Sequence, residues 1–215
     1  WRCGAREVLY FDAERYSDPS KSIRGGIPVL FPICGNLPDD RLQVDGKDHM
    51  LPQHGFARDR PWQLQLLDDQ SGVRLSLSSS AETLNAYPFP FLLEMVVRPA
   101  PDALEITTTI HNRGTRPMPF SFGLHPYFQV SDLAQVRLTG LPDDCLNHLE
   151  MANAATADQL SQLPDGVDLL CRPAGPVALI DDGNGHQLQL QHQAPLDLTV
   201  VWTEPPRRMV CLEPW

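Results

Sequence analysis

Proline occupies 21 of the 215 positions, and that frequency removes most architectures. Inside a helix a proline costs about 3 kcal/mol, and within sheets it is confined to edges, first residues and bulges. With 14 glycines beside them, the prolines demand many short elements joined by many turns. A helical bundle is excluded. The alternation of side chains agrees. Val73–Ser78 and Val136–Thr139 alternate apolar and polar, the pattern of half-buried strands. Residues 92–97 and 104–110 read as an antiparallel pair joined by a turn at 99–102. Residues 187–191 alternate strictly after the turn-like run 181–185. Residues 196–202 and 209–212 follow as two more strands. Helical character is confined to 151–163, which Pro164 ends. Many short strands with turns between them predict an all-β chain, a sandwich or barrel. No repeat or linker divides it, so a single domain over residues 1–215 is expected. The sequence starts on Trp1 and stops at Trp215 directly after a strand-like run. Further segments are therefore expected beyond one or both ends.

Charge and cysteine usage narrow the partners. Lys and Arg number 17 against 27 Asp and Glu, a net charge of −10. A nucleic-acid partner would need a basic stripe, and an anionic membrane surface would repel this balance. No apolar run approaches the roughly 18 residues of a spanning helix, and the first residues show no signal-peptide pattern. The five cysteines, Cys3, Cys34, Cys145, Cys171 and Cys211, are far apart and form no CxxC pair. Thiols in a reducing compartment, and a cytoplasmic protein, are the expectation.

The chemistry-bearing residues concentrate in four segments. The first, at 22–32, places Arg24 before Gly25-Gly26, where the backbone can turn or approach a ligand and a guanidinium can fork onto an anion or a hydroxyl. The second, at 51–62, sets His54 on a glycine, with Arg58 following and Phe56 and Trp62 at its sides. The third, at 120–128, holds His125 among aromatics, a setting in which an imidazole can be tuned for acid–base work. The fourth, at 209–214, closes an apolar run on Glu213, although Glu is rarely buried without a partner. Each group also has a plain structural reading: a surface arginine at a turn, hydrogen-bonded core histidines, an exposed strand-end carboxylate. The residues alone leave both readings open. A metal site is not expected. His49 and His54 are separated by five positions, and neither HxH nor HExxH occurs.

Taken in order, IRGGIPVLFP, LPQHGFARDRPW, SFGLHPYF and MVCLEP resemble the aldose 1-epimerase (mutarotase) family, including its hexose-6-phosphate branch. The resemblance spans the whole chain. It implies a large antiparallel β-sandwich of the galactose mutarotase-like type, with sugar in an open cleft and no cofactor or metal. It implies Glu213 as the base that takes the anomeric proton and His125 as the acid that protonates the ring oxygen. It implies sugar contacts from Arg24, His54, Arg58 and, more weakly, Asp168, where the run VDLLC departs from the usual pattern. Asn36 stands where many members carry Arg, and Ile33 and Cys34 stand where phosphate-preferring members have aromatics. The substrate is therefore expected to be a hexose or a hexose 6-phosphate. The rival expectation is a non-catalytic carbohydrate-binding protein on the same fold, which would not need both His125 and Glu213. A cupin-like metalloenzyme is a third reading, which metal analysis would decide.

Overall fold

The computed structural model describes residues 1–18 and 20–215. The chain divides into two compact units, one formed by Val29–Phe122 and the other by Trp1–Pro28 together with Gly123–Trp215.

In the Val29–Phe122 unit, four strands form an antiparallel sheet in sequential order: β1 (Gln63–Leu66), β2 (Val73–Ser78), β3 (Phe91–Pro99) and β4 (Leu104–Asn112). The long hairpin β3–β4 pairs Phe91 with Asn112 and Pro99 with Leu104, as the alternation at 92–97 and 104–110 predicts. On β3, Phe91, Leu93 and Met95 are buried while the residues between them are not, the period-two signature of a one-sided sheet. Phe91 belongs to an aromatic cluster in which Phe31 contacts Phe91 (4.9 Å between centroids), Tyr87 (6.0 Å) and Phe56 (6.3 Å) near edge-to-face geometry. Helix α1 (Ala81–Ala86) was not evident from periodicity. It is a single capped turn and a half, held by a reciprocal capping box between Ser80 and Thr83.

In the other unit a six-stranded antiparallel sheet has the order β5-β13-β12-β9-β7-β8. Its strands are β5 (Tyr127–Gln129), β7 (Asp144–Asn147), β8 (Ala152–Ala155), β9 (Asp168–Cys171), β12 (Thr199–Trp202) and β13 (Met209–Pro214). A three-stranded sheet, β6 (Val136–Thr139), β10 (Val177–Asp181) and β11 (His186–Leu190), has β10 in its centre. One core joins the two sheets. Phe128, Val210, Leu212, Val201 and Leu169 come from the six-stranded sheet, and Val136, Leu138, Val177 and Leu179 from the three-stranded one. This is sheet-on-sheet packing, as in β-sandwiches. The stretch 151–163 differs from its helical expectation. It forms strand β8 and then only the short helix α2 (Thr156–Leu160), because pairing with β7 outcompetes a weak helix pattern. Among the described residues, no helix is long and apolar enough to cross a membrane.

Candidate active site on the six-stranded sheet

The core occupies one face of the six-stranded sheet, so the strand register decides what the other face carries. Tyr127 pairs with Cys211, Cys211 with Trp202, and Trp202 with Asp168. Continuing the β7–β9 register one step past Asn147 and Leu169 sets His148 opposite Asp168, and the His148 N–H donates to the Asp168 carbonyl at 2.9 Å. Side chains two apart in a strand share a face. The row Tyr127–Cys211–Trp202–Asp168–His148 therefore lies on one face, and Glu213, two residues beyond Cys211, lies on it too. Phe128, Val210, Val201 and Leu169, one residue out of step, form the core.

His125 precedes Tyr127 by two and reaches the same face. Its Nε2 lies 3.3 Å from Glu213 Oε1. Glu213 is 2% exposed and His125 8%. The imidazole stacks on the Tyr127 ring at 4.6 Å and 6°, and the Trp202 ring meets it edge-on at 5.7 Å and 84°. The indole N–H of Trp215 donates to Glu213 Oε2 at 3.2 Å. The backbone of 26–28 fixes the histidine: Pro28 O accepts from the His125 N–H (2.9 Å) and Gly26 O from the Tyr127 N–H (3.0 Å). Gly25 is required where this segment passes Tyr10 and Phe11. At φ +133° its missing Cβ would stand 2.6 Å from the Phe11 Cα and 2.7 Å from the Tyr10 oxygen.

Arg24 leaves that same segment toward Trp202, with its guanidinium carbon 5.2 Å from the ring centroid. It is also clamped. Nε and Nη2 donate to the two oxygens of Glu204 at 2.8 and 3.0 Å, a bidentate fork that raises the arginine further. Burial pushes the Glu204 carboxyl up. The hydrogen bond and charge of Arg24, joined by Arg207, outweigh that and hold it below the usual range. Asp168 accepts from His148 Nδ1 at 2.8 Å.

His54 and Arg58 belong to the Val29–Phe122 unit. His54 adopts φ +63°, a left-handed conformation costly for a residue with a Cβ. A reciprocal clasp holds it: its N–H donates to Gly35 O at 2.8 Å, and the Gly35 N–H donates to His54 Nδ1 at 3.0 Å. With Nδ1 accepting, the neutral ring carries its proton on Nε2. Gly55 follows with no room for a side chain, since a Cβ would stand 2.3 Å from Phe31 O. Arg58 donates to Gln53 O at 3.1 Å and lies 3.6 Å from Asp59.

The same face groups three side chains with potential ligand atoms. His125, Cys211 and Glu213 hold their ligand atoms within 4.8 Å of one another. In the metal-free protein, burial pushes the Cys211 thiol well above its ordinary value.

The structure thus brings Arg24, His125, Glu213 and Asp168 into one unit. It adds Tyr127, Trp202, Trp215, His148 and Glu204 to them. A signal existed for two of them. Tyr127 and Trp215 each stand two residues from a singled-out group on a strand, and period two puts them beside it. Glu204 and His148 carry no such mark.

Fold and site define an all-β, antiparallel protein of the galactose mutarotase-like type. Comparison with known proteins agrees. The Aldose 1-epimerase family model matches residues 5–214, and the chain belongs to that family. A protein from Cenchrus ciliaris named "Putative glucose-6-phosphate 1-epimerase" is 34% identical over 159 residues, 67% of this chain. The match spans 44% of that relative, less than half its length. The crystal structure of the Slr1438 protein from Synechocystis sp. PCC 6803 is 37% identical, with a TM-score of 0.92 over 98% of this chain and 74% of that one. A galactose mutarotase related enzyme from Lactobacillus acidophilus, 23% identical, shares the fold, with a TM-score of 0.79 over 98% of this chain and 75% of that one.

Proposed function

We propose that the protein is an aldose 1-epimerase that interconverts the α and β anomers of a hexose or hexose 6-phosphate. The carrying observation is the His125–Glu213 contact, with Nε2 and Oε1 3.3 Å apart on the face of the sheet turned away from the main core. The two oxygens of a sugar hemiacetal share one carbon, so one acid and one base that sit close together can serve both. Glu213 takes the proton of the anomeric hydroxyl as the C1–O1 double bond forms. The C1–O5 bond breaks, its electron pair goes to O5, and O5 takes the proton from His125 Nε2. The aldehyde turns about C1–C2. The reverse transfers then close the ring on the other face. The step requires Glu213 ionised and the His125 imidazole protonated when substrate arrives, and the roles then reverse. Tyr127 and Trp202 fix the imidazole plane, and Trp215 fixes the carboxylate.

Arg24, His54, Arg58 and Asp168 are proposed sugar contacts, on the motif resemblance. The name of the Cenchrus ciliaris relative supports a phosphorylated substrate, while the pairing of Arg24 with Glu204 speaks for a neutral hexose. Anomer exchange followed by NMR or polarimetry tests the reading. Glu213→Gln and His125→Asn should each slow interconversion at least about a hundredfold, the lower range for a lost acid or base, with the fold intact by circular dichroism. Sugar binding without any exchange in the unaltered protein would replace the enzyme with a carbohydrate-binding protein.

A further inference from the structure

The row across the sheet ends on a histidine that the proposed reaction does not use. His148 follows β7, and its Nδ1 is 2.8 Å from Asp168 Oδ1. An ionised carboxylate only accepts, so Nδ1 carries the proton and donates it. The other side of the imidazole is engaged as well. The ring lies against the indole of Trp215, centroids 6.5 Å apart and planes 29° from parallel. That indole donates to Glu213 Oε2. The pairing is half-buried, with side-chain exposures of 23% for His148 and 30% for Asp168, which leaves Asp168 within reach of a ligand on that face.

We propose that His148 is a positioning residue of the site: it holds Asp168 through Nδ1 and braces Trp215, whose N–H holds Glu213, so that one imidazole sets both carboxylates. The inference rests on the mutarotase reading for what the carboxylates do, and on geometry alone for what His148 does to them. With Oδ1 taken by His148, Asp168 presents Oδ2 to a substrate hydroxyl in a fixed orientation. Without the imidazole, the Asp168 side chain is released to rotate and the Trp215 indole loses one wall.

His148→Ala should raise KM for the sugar about tenfold, the scale of one hydrogen bond to a charged group, with a smaller fall in kcat. His148→Asn, whose amide nitrogen can stand in for Nδ1, should restore KM to within about threefold of the unaltered protein. Asp168→Asn should raise KM as well, and adding His148→Ala to it should cost little more, because the two act as one unit. A readout independent of turnover is the indole 1H–15N resonance of Trp215, which should shift in both His148→Ala and Glu213→Gln. An unchanged KM in His148→Ala, equal impairment by Asn and Ala, or an unmoved Trp215 resonance would overturn the proposal. If the unaltered protein exchanges no anomers, the mutarotase reading fails, while the Trp215 resonance still decides whether His148 positions the site.

Discussion

The arginines show how a residue's partners change what its charge can do. A guanidinium beside a glycine turn reads from sequence as a group that can fork onto an anion or a hydroxyl. Arg24 has both forked donors on Glu204, so a phosphate would have to displace a carboxylate already in place. Arg58 is engaged more loosely. One donor is on a backbone oxygen and Asp59 lies 3.6 Å away, a pairing of the kind worth about 0–1 kcal/mol at a surface. If the protein prefers glucose 6-phosphate to glucose, Arg58→Ala should remove the preference by raising KM for the phosphate ester alone. Equal KM values for the two sugars in the unaltered protein would instead assign Arg58 to hydroxyls or to structure. The cysteines follow the same logic. Burial pushes the Cys171 thiol up to about 12 and the Cys211 thiol well up, so neither is a nucleophile near neutral pH.

Among the elements, the turn between β12 and β13 does more than reverse the chain. From sequence, 204–207 is a proline-rich separator. In the fold its Glu204 binds Arg24 and Arg207, and Arg207 also reaches Asp12 at 3.6 Å. The turn thereby ties β12 and β13 to the segment that backs His125. Glu204 is held below its unfolded value, so it stabilises the fold above the ordinary carboxylate range, near pH 4.3, and loses that contribution as pH falls through its lower folded value. Thermal unfolding followed from pH 7 down to pH 3 should therefore show a shallower acid decline in Glu204→Gln, together with a lower stability at pH 7. An identical acid slope in the variant would place the acid sensitivity elsewhere, with Asp12, itself held low by the Arg15 N–H, as the next candidate.

At the scale of the whole molecule, burial sorts the five thiols into two groups. Cys145, Cys171 and Cys211 are buried, and Cys3 and Cys34 are half-buried. Native protein treated with a small alkylating reagent at neutral pH should react at no more than Cys3 and Cys34, with the other three modified only on unfolding. Early modification of Cys211 would mean that the site face opens far more than its burial allows.

Much of this protein is legible in its sequence because the physics is local. Period-two alternation marks β2, the β3–β4 hairpin, β6 and β11 within a residue or two, since one-sided burial forces apolar residues onto every second position. The prolines keep helices short by covalent geometry. The motifs single out His125 and Glu213 as candidates, and the fold brings their Nε2 and Oε1 to 3.3 Å. Short strands without alternation, such as β7 to β9, leave no such trace, and nor does the one-turn helix α1, whose signal is a cap. The tertiary structure alone decides which partners meet. Glu204 finds Arg24 from 180 positions away, and His148 finds Asp168 across a strand boundary. Such pairs depend on the register between strands distant in the chain. That register is fixed by how the whole apolar set fits one core, a condition no single segment carries.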